Sequence, residues 1–244
     1  MPDNSVLITG ATSTLGKEIA FAFAEKSFNL ILLNHNNTKV KNDIKNILET
    51  KYPSIKYSFF SHDLRDHIKI KDFIKEIEKK TGIISCLVNN AAITINKPFV
   101  KVSDEDFANV YDINLKAVFN ITRLILKQMV KKRTGHIISI SSIQALNGGK
   151  GIASYAAAKA GLIAFSKSIA KEYGPFNIKS NIILPGYFKS NMTNNNPEHF
   201  EKKVANENCL KKINDPEEVA KFIVFLSQMK NVSGQVFNLD SRII

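Results

Sequence analysis

Apolar runs of four to seven residues recur along the chain, separated by longer stretches whose apolar positions repeat every three or four residues. "SVLIT" (5–9) ends at a Gly turn, and "TLGKEIAFAFAEK" (14–26) then carries helical periodicity. "LILL" (30–33), "IKYSFF" (55–60) and "ISCLVNN" (84–90) read as the next three strands, with amphipathic helices over about 38–51 and 67–80 between them. A long helix is predicted over about 103–132, followed by the strand "GHIISISS" (135–142) and an Ala-rich helix over 153–173. "KSNIILP" (179–185) and "QVFNL" (235–239) complete the strands. The last helix is expected to be capped by Asp215, with Pro216 at its first position and Glu218 closing a capping box.

Short apolar strands alternating with helices imply a parallel sheet covered on both faces. The expected fold is therefore α/β, a single Rossmann-type doubly wound domain over 1–244 with about seven strands. The stretch 187–212 is polar, Asn-rich and poorly periodic, and it follows a strand's carboxyl end. Ligands in such folds sit outside those ends, so this stretch is expected to be a lid over the site.

Composition removes several alternatives. A chain of 244 residues, 44% hydrophobic and 23% charged, supports a core without disulfide or metal staples. Cys86 and Cys209 stand near no Cys or His at ligand spacing, and the five histidines are scattered, so no metal site is expected. The N-terminal "MPDNSVLITG" has no basic n-region, and no run approaches the roughly 18 apolar residues of a membrane span, so a soluble, cytoplasmic protein is expected. The net charge of +12 comes from lysines spread along helix faces, in a chain also rich in Asn and Ile, as an AT-rich coding sequence produces. An anionic cofactor, substrate or carrier protein remains a use for it, and nucleic acid is not expected.

Candidate chemistry lies at the strand ends. "TGATSTLG" (9–16) joins the first strand to the first helix, where backbone N–H groups attract a pyrophosphate and glycines let it come close. At the end of the second strand, "NHNN" (34–37) has no acid for the ribose hydroxyls, which favours NADP(H) over NAD(H), with His35, Asn36 and Ser13 as candidate phosphate partners. Two tyrosines precede a lysine by four places, Tyr52 with Lys56 and Tyr155 with Lys159. Only the second pair lies on a predicted helix, where that spacing puts both side chains on one face. Ser142 ends the strand before it. Free tyrosine, pKa about 10, is a weak acid for donating a proton to a reduced carbonyl. An ammonium about 4–5 Å away stabilises phenolate by roughly 3–4 kcal/mol at an effective dielectric near 20. Lys159 is thus expected to draw Tyr155 toward neutrality.

These stretches resemble the short-chain dehydrogenase/reductase family over nearly the whole chain. The 9–16 stretch is similar to the family's T-G-x-x-x-G-x-G, with Thr14 at the middle glycine, and "NNAA" (89–92) to its N-N-A-G, with Ala92 replacing glycine. The resemblance implies cofactor contacts from Gly10, Thr12, Ser13, Thr14, Leu15, Gly16, Asn90, Ala91 and Ala92, and an adenine contact from Asp63 beside Leu64. It also implies that "PG" (Pro185, Gly186) and Ser190 flank the carboxamide and that Lys159 reaches the nicotinamide ribose beside Tyr155. Asn114 in "DINL" would complete a catalytic tetrad with Ser142, Tyr155 and Lys159. The likeness is strongest to 3-oxoacyl-[acyl-carrier-protein] reductases, implying an acyl-thioester substrate on an acidic carrier or CoA and a homo-oligomer, tetramer or dimer, formed through the helices at 103–132 and 153–173.

Some positions depart from that pattern. "NLDS" (238–241) replaces a V-N-G-G stretch, and Phe176 stands where a basic residue for the carrier is common, although Arg133 matches another such position. A reductase of a sugar derivative or secondary alcohol, or a dinucleotide-binding scaffold without turnover, are the rival expectations.

Overall fold

Residues 4–35, 37–194 and 198–242 are described by a computed structural model. The apolar runs become seven parallel strands: β1 (Ser5–Thr9), β2 (Asn29–Asn34), β3 (Tyr57–Ser61), β4 (Cys86–Asn89), β5 (Gly135–Ile140), β6 (Ile178–Leu184) and β7 (Val236–Asn238). They form one sheet in the order β3-β2-β1-β4-β5-β6-β7. Both faces of the sheet are covered, which is why its inner strands are apolar at successive positions. Val6 and Ile8 of β1 pack with α1 (Thr14–Glu25) and, further along the chain, α9 (Pro216–Gln228). Leu7, between them, points to the opposite face, against α3 (Ile70–Thr81) and α5 (Ala117–Lys132). Each fully buried side chain of this kind contributes roughly 1.5–3 kcal/mol.

The remaining helices are α2 (Thr38–Lys51), α4 (Asp104–Tyr111), α6 (Gln144–Asn147), α7 (Ala153–Tyr173) and α8 (Glu198–Glu207). Three features differ from the sequence reading. The helix expected over 103–132 is divided into α4 and α5 by a π turn at Asp112–Lys116, which carries Asn114. The stretch expected to be a lid contains α8, a mostly polar helix that buries Val204. Asp215 does cap α9, but its carboxylate accepts the N–H of Glu217 at 2.9 Å, without the reciprocal box through Glu218. Among the described residues no helix is long and apolar enough to cross a membrane.

The strand order reverses at β1, which pairs with β2 on one side and β4 on the other. A crevice opens there, outside the carboxyl ends of the strands, where open α/β sheets hold their ligands.

Candidate active site

Every candidate residue that the structure describes lies along this carboxyl edge, in an order set by the sheet. His35, Asp63 and Leu64 follow β2 and β3; residues 10–16 follow β1; Asn90, Ala91 and Ala92 follow β4; Ser142 follows β5; and Pro185, Gly186 and Ser190 follow β6. Asn36 lies outside the described residues. Neighbouring strands are about 4.8 Å apart, so the ends of β2 and β5 are separated by roughly 14 Å.

The turn after β1 is tightly built. Gly10 has φ +65°, and a Cβ there would come within 2.9 Å of Ala91 Cα. At Gly16 a Cβ would meet the Gly10 carbonyl at 2.2 Å. Ser13 caps α1, its hydroxyl oxygen accepting the Gly16 N–H at 3.1 Å and Asn90 Nδ2 at 3.2 Å, which leaves its O–H proton to donate. Thr14 is the first residue of α1, and neither it nor Ala92 is among the residues with positive φ, so both replacements of glycine are accommodated without backbone strain. Leu15 is 4% exposed and offers the crevice only its main chain. The first-turn amides of Thr14 and Leu15, which have no intrahelical acceptor, and the Thr12 and Thr14 hydroxyls form a donor set that fits a pyrophosphate.

Asn90 fastens the floor of the crevice. Its Nδ2 donates to the carbonyls of Thr9 at 3.0 Å and Gly10 at 3.1 Å, while the Thr9 hydroxyl accepts the N–H groups of both Asn90 and Ala91. Asn89 turns the other way, its amide donating to Thr122 and Ser139 inside the fold. At the β2–β3 end, Asn34 Nδ2 donates to the His35 carbonyl at 2.7 Å. Asp63 Oδ1 accepts the Arg65 N–H and Nε, both at 3.0 Å, and Oδ2 accepts Nη2 at 2.6 Å. These bonds hold the Asp63 carboxyl down at about 2. Arg65 escaped the sequence reading, which looked for a cation only at the end of β2. It is brought there by the β2–β3 pairing, with Asn34 opposite Ser61.

At the other end, α7 begins eleven residues after Ser142 and carries Tyr155 and Lys159 one turn apart. Tyr52, by contrast, only closes the end of α2, and Lys56 follows in the loop to β3. Lys159 is 2% exposed and its Nζ donates to the Ile140 carbonyl at 2.7 Å. Burial brings its pKa down to about 7. The Ser141 hydroxyl donates to the Lys159 carbonyl at 2.8 Å, tying α7 to the end of β5. The Lys159 ammonium stands 5.8 Å from the centre of the Tyr155 ring. Contrary to the expectation of a lysine-lowered phenol, burial pushes Tyr155 above its ordinary value, and the opposing pull comes from a hydrogen bond with Ser142. The Ser142 oxygen also accepts the Gln144 N–H at 3.2 Å, which fixes its orientation through α6.

Asn114 is fully buried behind this group. Its Oδ1 accepts the Ile93 N–H at 2.9 Å and its Nδ2 donates to the Ile93 carbonyl at 2.8 Å, so the side chain clamps the loop after β4. A π turn displaces main-chain groups from the regular ladder, and such turns occur frequently at functional sites.

Past β6, Gly186 has φ +75°, and a Cβ would sit 3.0 Å from Asn214 Nδ2 and 3.2 Å from Asp240 Cα. Asn214 donates to the Pro185 carbonyl at 2.5 Å. The Ser190 N–H donates to the Thr193 hydroxyl at 2.8 Å. The departure at "NLDS" also acquires a role: the buried Asp240 carboxylate pairs with Arg242, which lies 3.9 Å from Glu207 at the end of α8. Arg133 ends α5 where β5 is about to begin, at the sheet edge opposite the crevice of its own chain. Its Nη2 donates to the Pro175 carbonyl and its guanidinium lies 5.7 Å from the Phe176 ring centre.

A family model described as short chain dehydrogenase matches residues 4–201. The chain is 34% identical over 240 residues to the 3-oxoacyl-[acyl-carrier-protein] reductase FabG of Thermotoga maritima, covering 98% of this chain and 96% of that protein. It is 35% identical over 238 residues to the FabG of Buchnera aphidicola, with 97% and 95% covered. A crystal structure of a candidate gluconate dehydrogenase from Agrobacterium tumefaciens superposes with a TM-score of 0.91 at 25% identity, covering 98% of this chain and 94% of the other. The protein belongs to the short-chain dehydrogenase/reductase family and is an NAD(P)-dependent oxidoreductase.

Proposed function

We propose that the protein reduces the 3-oxo group of an acyl thioester, carried by CoA or an acyl carrier protein, using NADPH. The observation that carries this reading is the convergence of Ser142, Tyr155 and the buried Lys159 at the carboxyl end of β5, in a chain one-third identical to FabG proteins. NADPH, when bound, supplies the hydride. Ser142 donates to the substrate oxygen and holds it against the Tyr155 hydroxyl, which gives up its proton as negative charge develops there. A phenol kept protonated by burial is ready to act as this acid at neutral pH. Protonated Lys159 then stabilises the phenolate. Anchoring on the Ile140 carbonyl keeps the ammonium from leaving for solvent. The π turn at Asn114 supports the view that a main-chain carbonyl in this segment continues the proton path.

Residues 187–212 serve as the lid. Lys189 pairs with Glu201 of α8 at 3.4 Å and the Tyr187 ring lies 5.6 Å from that of Phe200, so the start of the segment and α8 would move together. The protein is further proposed to form a homo-oligomer through α4, α5 and α7. Phe107, Tyr111 and Phe119 are 48%, 41% and 43% exposed there, a cost that burial against a second copy would relieve.

A second reading, oxidation or reduction of a sugar acid or simple alcohol, is favoured by the fold likeness to the gluconate dehydrogenase candidate. One experiment separates them: cofactor absorbance followed with acetoacetyl-CoA, with gluconate and with simple alcohols, using NADPH/NADP and NADH/NAD in parallel. Turnover of the thioester is expected with NADPH and lost in Tyr155→Phe. Turnover restricted to gluconate or alcohols would replace the thioester reading by the second.

A further inference from the structure

We propose that Arg65 is the receptor for the 2′-phosphate of the dinucleotide, with His35 as its flexible partner, and that it sets the cofactor preference. This deepens the NADPH reading above and rests on it.

The sheet supplies the position. A pyrophosphate on the α1 N-terminus at β1 sends its adenosine half across the end of the neighbouring strand β2. β3 lies just beyond, its last residue Ser61 level with Asn34. The ribose therefore arrives between His35 and the segment 63–65.

The chemistry there suits a phosphate better than a diol. The sequence 34–37 provides no acid. The neighbouring carboxylate, Asp63, already accepts hydrogen bonds on both oxygens from Arg65. A bare Asp63 would repel a phosphate; with Arg65 attached its charge is compensated. Two of the five guanidinium donors are spent on Asp63, from Nε and Nη2. The rest stay available, because the Arg65 side chain is 47% exposed. The Asp63 pair thus holds a planar donor fork in a fixed orientation, the geometry that matches phosphate oxygens. His35, 62% exposed, stands with Nε2 3.8 Å from the same Asp63 oxygen and can add a further donor.

The test measures binding, not turnover: calorimetric titration of the full-length protein with adenosine 2′,5′-bisphosphate and with 5′-AMP. The native protein is expected to bind the bisphosphate at least about tenfold more tightly than 5′-AMP. Arg65→Ala should weaken the bisphosphate by about 10- to 100-fold, the range for charge-assisted hydrogen bonds, and leave 5′-AMP within about twofold. Asp63→Asn, which keeps the guanidinium and removes the acid, should preserve preference for the bisphosphate. Equal weakening of both probes by Arg65→Ala would make Arg65 an adenine-stacking group and overturn the proposal. So would an unchanged bisphosphate affinity. Tight binding of 5′-AMP without discrimination would leave the dinucleotide reading standing while removing this one, whereas binding of neither probe would remove both.

Discussion

Lys159 donates its buried ammonium to the carbonyl of Ile140, at 2.7 Å, where β5 has passed its last pairing with β4 and keeps only β6. That bond holds the ammonium beneath the Tyr155 ring, with no carboxylate among the described residues paired to it. The cost is visible in its pKa of about 7 against an ordinary value of 10.5.

Lys159→Met should therefore separate stability from activity. A lysine whose folded pKa lies below its unfolded value costs stability fully below about pH 7, and the cost fades as pH rises toward 10.5. The variant should be more stable at neutral pH by on the order of 3 kcal/mol, a gain that shrinks by pH 10, while turnover collapses. Urea unfolding at the two pH values checks the first part and cofactor absorbance the second.

Tyr155→Phe removes the acid but retains the ring. Turnover should fall by about 10²–10⁴-fold, with cofactor affinity by calorimetry nearly unchanged. Ser142→Ala should also reduce turnover and, because its hydrogen bond pulls Tyr155 down against burial, should move the pH profile to higher pH.

His136 predicts an acid limit to stability. It is 3% exposed, its Nε2 accepts from Asn181 Nδ2 at 2.9 Å, and its Nδ1 donates to the Ser227 carbonyl at 3.3 Å. Burial lowers it to about 4 from 6.5, with Lys179 adding to the shift. A histidine buried neutral contributes its full share above pH 6.5 and loses it as pH falls toward 4. Unfolding free energy should drop by about 2–3 kcal/mol between pH 7.5 and 4.5 from this group, and His136→Gln should flatten that slope.

Gly16→Ala places a methyl 2.2 Å from the Gly10 carbonyl, against backbone that cannot rotate away. Loss of soluble protein, or destabilisation by more than about 3 kcal/mol, is expected in thermal unfolding. Thr14→Gly asks the opposite question. Because Thr14 is helical already, restoring glycine should cost no more than about 0.5 kcal/mol of stability and leave the fold intact.

Phe119→Asp tests the apolar helix face. Phe119 lies 6.1 Å from Phe165 and 5.2 Å from the Arg123 guanidinium, exposed on α5. A charge there should reduce the mass measured by sedimentation to that of a monomer. An unchanged mass would place the subunit contact elsewhere.

Much of the site was legible because its signals are local. Tyr155 and Lys159 share one helix, and four-residue spacing on a helix makes neighbours whatever surrounds them. The glycine turn and the cap of α1 occupy eight consecutive residues. What escaped was carried by distant partners. The π turn at Asn114 leaves no periodicity of its own, since it widens a helix by one residue and is held by Ile93, 21 positions away. α8 is short and polar overall, with Val204 buried on one side, so it stands out little from the polar stretch around it. Arg65 looked like an ordinary loop residue until β2 and β3 were paired.

The sequence alone determined the alternation of buried strands and amphipathic helices, and with it a covered parallel sheet, because burial on two faces dictates composition residue by residue. It also determined which tyrosine has a lysine beside it. The tertiary structure decided the order of the strands, the depth at which Lys159 is buried, and the meeting of Arg65, Asp63 and His35 at one edge. Those depend on contacts between segments tens of residues apart, where desolvation and charge pairing are set by neighbours that local periodicity does not identify.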